Sequence, residues 1–367
     1  MAGPQAGYLL IADITGYTMY LTHSELEHAQ EVLQTLLELV VEHTPPPLVI
    51  AGLQGDAVLS YAWKDAIKGH TFVEMIERGY AAFRRAIELM VLNNSCQCNA
   101  CANISGLDLK FFVHHGTFGV QQLHGREELV GSDVILIHRL LKNHVSEETG
   151  IRAYTLYTDA ALEALSLEGF REKLVAHREA YEHLGEINTW IQDMHPVWLE
   201  KKETTHITIP AEEVNAQSSV EIPLPAPVIW DFLTQLEYRA VLMGADYFRV
   251  IGQVDGRVVP GSVYHCYHGK RVTVQTILQW RTFEQITTED KMPFPNTYIL
   301  CDIQLEELDS GSTRLTGTLS KAHGPLWARL LTDKMVRRMG AHLHQGQEAF
   351  AARVLADHTA HRMLHSN

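Results

Sequence analysis

Two apolar runs, each broken once by an aspartate, constrain this chain more than any other feature. The first, Gly7 to Leu21 (GYLLIADITGYTMYL), is interrupted at Asp13, just ahead of Thr15-Gly16. The second, Pro47 to Trp63 (PLVIAGLQGDAVLSYAW), is interrupted at Gly55-Asp56. Both read as buried strands. Gly55-Asp56 reads as a hairpin tip, since glycine accepts the backbone conformation that a tight turn demands. Turn chemistry accounts for either motif taken singly. The pair is more informative, because in neighbouring strands Asp13 and Asp56 would lie side by side, able to hold one or two Mg²⁺ or Mn²⁺ ions against a phosphate.

The segments around these runs predict an ordered alternation. Ser24-Glu25-Leu26-Glu27 has the form of a capping box. Leu26, Ala29, Leu33, Leu36 and Val40 then recur at helical spacing until Pro45-Pro46-Pro47 stops the helix. After the hairpin, Phe72, Ile76, Phe83, Ile87 and Met90 mark a second amphipathic helix, and Leu109 to Gly116 reads as a strand. The order is βαββαβ, the ferredoxin-like arrangement of an α+β domain.

These residues carry a resemblance. Asp13-Ile14-Thr15-Gly16-Tyr17-Thr18 and Gly55-Asp56-Ala57 resemble the metal-binding motifs of class III nucleotide (adenylate/guanylate) cyclase domains. Lys110 to Gly116, with His114 and Gly116, looks like that family's Arg-x-Gly-Ile-His-x-Gly strand, and Gly131 to Arg139 is similar to its Gly-Asp-x-Val-Asn-x-Ala-x-Arg helix. The likeness runs from about residue 7 to 200, with a last strand near Glu186 to Gln192. It implies that Asp13, Asp56 and the Ile14 backbone carbonyl hold Mg²⁺ or Mn²⁺ against a nucleoside triphosphate. It also implies that Arg139 neutralises charge during intramolecular phosphoryl transfer, and that two chains pair so that one gives the carboxylates and the other the arginine. Gly55 and Glu128 fall at substrate-binding positions.

Two departures bear on activity. Gly52 stands where the family places a base-selecting lysine, and Ile135 where it places an asparagine. Asn143, on the extended helical face of Ile135 and Arg139, is a candidate substitute. The resemblance therefore supports two readings: a diverged cyclase, or a catalytically inactive pseudo-cyclase acting as a ligand sensor or scaffold.

Three of the five cysteines stand close together, at Cys96, Cys98 and Cys101. C-x-C-x-x-C spacing lets three thiolates converge on one Zn²⁺, with the fourth ligand drawn from His114, His115 or a second chain. Reduced, partly buried thiols are the alternative.

Residues 201–216 turn polar and read as a linker. Beyond them come a strand at Ser219 to Leu224, a short helix from Pro225, four strands between Gly261 and Ser320, and a terminal helix with Leu331, Met335, Met339 and Leu343 along one stripe. That order, over residues 217–367, resembles the START-like (SRPBCC, helix-grip) fold, which implies a hydrophobic small molecule in a cavity between sheet and helix. On the strand at Tyr264 to His268, Tyr264, Cys266 and His268 share one face and are the candidate lining.

Composition narrows the setting. A net charge of −14 argues against a nucleic-acid partner, which demands a basic face. No apolar run is long enough to span a bilayer and no signal segment precedes the first strand, so the chain reads as cytoplasmic.

Overall fold

The computed structural model describes residues 4–92, 98–123, 126–202 and 206–365. The chain divides into two compact units, 1–204 and 205–367.

The first unit begins with β1 (Gln5–Thr15), followed by α1 (Tyr17–Thr22), α2 (Leu26–Glu42), the hairpin β2 (Val49–Gln54) and β3 (Ala57–Trp63), and the long α3 (Gly69–Leu92). Then come the short α4 (Asn99–Asn103), β4 (Asp108–Leu123), β5 (Arg126–Val130), α5 (Ser132–Leu140) and α6 (Val145–Thr149). It closes with β6 (Tyr154–Thr158), α7 (Asp159–Leu165), β7 (Val175–Tyr181), β8 (Gly185–Asp193) and α8 (Met194–Lys202). The sheet order is β2-β3-β1-β4-β6-β8-β7, with β5 paired to β4 alone. The first four strands thus take the antiparallel order expected of βαββαβ. β6 then adds parallel to β4. β1 lies between β3 and β4 and is buried from Gly7 to its last residues, apart from the half-buried Asp13. Leu9 and Ile11 pack with Leu59, Phe112, Ile137 and Leu156 in one core.

Two local expectations change here. The capping box does not form: Glu25 is the N-cap of α2 and makes no side-chain cap, because its carboxylate instead accepts the backbone N–H of Ala100 at 3.0 Å and the side-chain amide of Asn99 at 3.2 Å. The polar stretch at 201–216 is shorter as a connection than its composition suggests. α8 runs on to Lys202, and Val214 and Ala216 already pair with Ser320 and Leu319.

The second unit holds β9 (Val214–Ile222), α9 (Ala226–Leu233), α10 (Leu236–Met243), β10 (Tyr247–Ile251), β11 (Val263–His268), β12 (Arg271–Arg281), β13 (Gln285–Lys291), β14 (Tyr298–Glu307), β15 (Thr313–Ser320) and α11 (Leu326–His365). Its seven strands form one antiparallel sheet in the order β10-β11-β12-β13-β14-β15-β9. α11 packs on β9, β15 and α10, with Ala328, Thr332, Val336, Gln347, Phe350 and Val354 buried. The predicted stripe divides: Met335 and Leu343 are half-buried, Met335 against the core that holds Ile299 and Val336, whereas Leu331 and Met339 are 54% and 40% exposed. Two glycines bring the helix close. A Cβ on Gly340 would stand 2.5 Å from the Ala216 Cβ, and one on Gly346 would stand 2.2 Å from the Leu242 carbonyl. Close backbone approach outweighs the larger apolar side chains, because dispersion falls steeply with separation.

Candidate metal and nucleotide site

Asp13 sits where the two ladders of β1 meet its polar end. Its Cα partners are Ala57 on β3 and Lys110 on β4. Asp56 immediately precedes Ala57, and its carbonyl accepts the Ile14 N–H at 3.2 Å, tying the hairpin tip to the end of β1. Gly55 turns the chain with φ +64°, in the left-handed region. The two carboxylates are thereby brought within electrostatic reach of each other. Burial and then the Asp56 charge push Asp13 up to about 6, partly offset by Lys110. Burial also raises Asp56.

Lys110 is the functional candidate that sequence reasoning passed over. Its ammonium lies 4.9 Å from the Tyr154 ring centroid, and burial lowers its pKa against the raising effect of Asp13. The available signal was a cation in an otherwise apolar strand, Leu109-Lys110-Phe111-Phe112. Two carboxylates whose charge burial disfavours thus stand at this strand end, with the Ile14 backbone between them and the half-buried Lys110 opposite Asp13.

The other predicted residues separate. Arg139 and Ile135 lie one turn apart on the exposed face of α5. Asn143 is not on that face, because α5 ends at Leu140. Its side chain donates to the Leu140 carbonyl at 2.8 Å and accepts from the Val145 N–H at 3.0 Å and the Tyr154 hydroxyl at 2.7 Å. Those bonds engage both ends of the Asn143 side-chain amide in fixing the turn after α5. Glu128 is exposed on β5, opposite Gln121 of β4. At Gly52 an added Cβ would meet nothing within 4 Å, so packing does not exclude a base-selecting side chain there.

His114 does not serve the Cys loop. It is buried, its Nδ1 2.9 Å from the Thr158 hydroxyl and its Nε2 3.1 Å from Asp133 Oδ1, and burial lowers its pKa. The other Asp133 oxygen accepts the Thr117 N–H at 2.7 Å. Gly116 makes this approach possible, since a Cβ there would stand 2.4 Å from the Asp133 Cγ. The His-x-Gly pattern is thus the seat for the first turn of α5. His115 instead meets the Tyr8 ring edge-on at 5.1 Å.

Cys96 lies outside the described residues. Cys98 and Cys101 converge with His28 of α2, which sequence spacing could not single out because it is 70 residues from Cys98. In the second unit Tyr264 and Cys266 are buried and His268 is half-buried, with its Nε2 3.0 Å from the Cys266 thiol. Burial pushes that thiol up to about 12. Arg239 of α10 is fully buried against this strand, its guanidinium 4.5 Å from the Tyr264 ring centroid. None of its three nitrogens has a hydrogen-bond acceptor among the described residues.

Residues 33–149 match the family described as "Protein of unknown function (DUF2652)". Over 162 residues the chain is 32% identical to "Uncharacterized protein Rv2561/Rv2562" of Mycobacterium tuberculosis, an alignment that covers 43% of this chain and 72% of that protein. Among solved structures, the guanylyl cyclase Cya2 aligns with a TM-score of 0.37 at 15% identity, over 52% of this chain and 93% of Cya2. A bacterial light-regulated adenylyl cyclase aligns with a TM-score of 0.40 at 9% identity, over 56% and 100% of the two chains. The adenylyl cyclase CyaB from P. aeruginosa gives 0.34 at 13%, over 52% and 97%. Among the described residues, no helix is long and apolar enough to cross a membrane.

Proposed function

The chain belongs to the family of the mycobacterial protein Rv2561/Rv2562, and we propose that its first unit binds a nucleoside triphosphate together with a divalent cation. The observation that carries this reading is the Asp13 and Asp56 pair. Two carboxylates, held together by the Ile14 to Asp56 hydrogen bond and each raised by burial, are stabilised by any cation that shares them. Asp13, Asp56 and the Ile14 carbonyl would hold Mg²⁺ or Mn²⁺. When bound, the ion supplies charge neutralisation for the triphosphate and acidifies a ribose hydroxyl. Lys110, opposite Asp13 in the β1–β4 ladder, adds a fixed positive charge beside the phosphates.

Cyclisation is the reaction class this arrangement serves, with Arg139 contributed across a homodimer. Its exposure on α5 leaves it available to a second chain, and the exposed Val49 and Leu53 of the hairpin offer that chain apolar surface beside the carboxylates. With glycine at 52 the base is held less selectively than a lysine would hold it, and with isoleucine at 135 the ribose is positioned less firmly than an asparagine would position it. The test is mass-spectrometric product analysis after incubation with each of the four nucleoside triphosphates and Mn²⁺, beside an Asp13→Ala control. Cyclic nucleotide from the wild type alone establishes the activity. Mn²⁺-dependent binding without product restricts the reading to a nucleotide-binding pseudo-enzyme. Neither binding nor product refutes it.

Arg239 favours a second reading, in which ligand binding by the second unit is the principal activity. A fully buried guanidinium with no acceptor on any nitrogen is strongly unfavourable, since arginine keeps its charge and all its N–H groups need partners. A small apolar molecule with an anionic head would supply the acceptor. Tyr264, Cys266 and His268 would line its site, and the head would compete for the guanidinium with Asp290 on the same sheet, whose pKa burial lifts to about 6 while Arg239 pulls it back.

A further inference from the structure

His28, Cys98 and Cys101 come together from two separate parts of the chain. His28 lies on the first turn of α2, and Cys98-Asn99-Ala100-Cys101 opens α4. The His28 Nδ1 is 3.2 Å from the Cys98 sulfur, and all three donor atoms lie within 4.8 Å of one another. Tetrahedral zinc, with bonds of about 2.3 Å to sulfur and about 2.1 Å to nitrogen, sets its donors about 3.6 to 3.8 Å apart. The 3.2 Å pair is a little closer than that, and the 4.8 Å limit on all three leaves room for such a spacing.

The backbone around the thiols is already fixed. Cys98 is the N-cap of α4, with φ −71° and ψ 160°, and its sulfur accepts the Cys101 N–H at 3.4 Å. The Glu25 carboxylate grips the Ala100 N–H and the Asn99 amide, so the start of α2 and the start of α4 are bound together independently of the thiols. The buried Tyr20 hydroxyl, which has no hydrogen-bond partner among the described residues, belongs to the same neighbourhood, and both thiols act on it electrostatically. A metal-bound thiolate is an acceptor for it.

We propose that His28, Cys98 and Cys101 bind one Zn²⁺, which fastens the segment after α3 to the start of α2. One imidazole and two thiolates match the borderline softness of zinc, and a hard ion such as Mg²⁺ is a poor fit. Binding displaces a proton from each thiol and leaves a neutral ZnS₂N unit, so charge balance is met within the site. Cys96 takes no part in the assignment. The role is structural, because α1, which packs on α4, follows directly from the strand that carries Asp13. The zinc thus braces the outer wall of the carboxylate site without entering it. This inference stands on its own donor set and does not depend on nucleotide binding.

The test uses the full-length protein purified without chelator. Plasma mass spectrometry should return about one zinc per chain, and Co²⁺ exchanged into the wild type should give the thiolate-to-cobalt absorption of a tetrahedral site. The Cys98→Ser, Cys101→Ser double variant and His28→Ala should each lower zinc content at least about tenfold, while His28→Cys should retain it. Circular dichroism of each variant separates lost metal from lost fold. A wild type that takes up neither zinc nor cobalt, or one whose Cys98 and Cys101 are recovered as a disulfide with full native circular dichroism, overturns the proposal.

Discussion

Replacing Asp13 by asparagine separates the two demands placed on this residue. In the folded chain Asp13 titrates near 6, against 3.8 ordinarily, so between those values the native state binds more protons than the unfolded one. The sign follows directly: the contribution of this group to stability is fully present below about 4, is lost as pH rises through that window, and stays absent above 6. The shift corresponds to about 3 kcal/mol at full effect, and to about 2 kcal/mol once partial solvent contact at the strand end is allowed for. Asparagine keeps the shape and drops the charge. In EDTA at pH 7.5, Asp13→Asn should therefore melt higher than wild type, by about 4–8 °C for a unit of this size. At pH 4 the difference should vanish. Mn²⁺ with a nucleoside triphosphate should stabilise the wild type and leave the variant unmoved. Differential scanning calorimetry with and without Mn²⁺ at the two pH values checks all three statements. A variant less stable than wild type in EDTA at pH 7.5, or equally responsive to Mn²⁺, would refute the reasoning that this carboxylate is held in wait for a cation.

Other substitutions probe different parts of the molecule. Gly116→Ala forces a methyl group into Asp133 and parts it from His114, so it should cost about 1–3 kcal/mol in urea unfolding, with the loss absent if α5 can move freely. Arg139→Ala, at an exposed position, should leave the melting temperature within about 1 °C and abolish any cyclic product; unchanged turnover would remove Arg139 from the mechanism. Arg239→Met replaces a buried charge that has no hydrogen-bond acceptor among the described residues with an apolar chain of similar length, but also takes a cation from Asp290, so the ligand-free protein should gain stability, by about 1–4 kcal/mol, below about pH 6 where Asp290 is protonated. Decanoate should then raise the melting point of wild type but not of this variant, and the decanoate methyl ester should act on neither. An equal response of both proteins to decanoate would exclude the Arg239 contact.

Much of the carboxylate site was legible because its signals are local. An apolar run broken by one acid, and a Gly-Asp pair between two such runs, state their conformation within a few residues. Burial then follows from strand order, which βαββαβ limits to few arrangements. What stayed hidden was set by contacts across the chain. Glu25 reads as part of a capping box until the loop at Asn99 and Ala100 offers it better donors. Asn143 continues a helical period on paper, but its own side chain helps to form the turn beyond Leu140. Of the stripe on α11, Met335 and Leu343 turn toward the sheet and Leu331 and Met339 do not, because small residues such as Gly340 and Gly346, silent in a hydropathy pattern, mark where the helix comes nearest. His28 carries no local mark at all. Only folding α2 beside α4 gives it two sulfur neighbours.

The carboxylate pair is mounted on supports of unequal stiffness. Asp13 belongs to a strand hydrogen-bonded along both edges, whereas Asp56 stands at the tip of a hairpin whose outer strand, β2, has an exposed edge and a register break between Ile50 and Gly52. Local opening starts at elements with the fewest buried contacts, so the hairpin lifts long before the central strand does. The dwell time of a shared ion would then be governed by how often the Ile14 to Asp56 bond breaks, making this one amide a clock for release. Its hydrogen-exchange rate, measured with and without Mn²⁺, reads that clock directly.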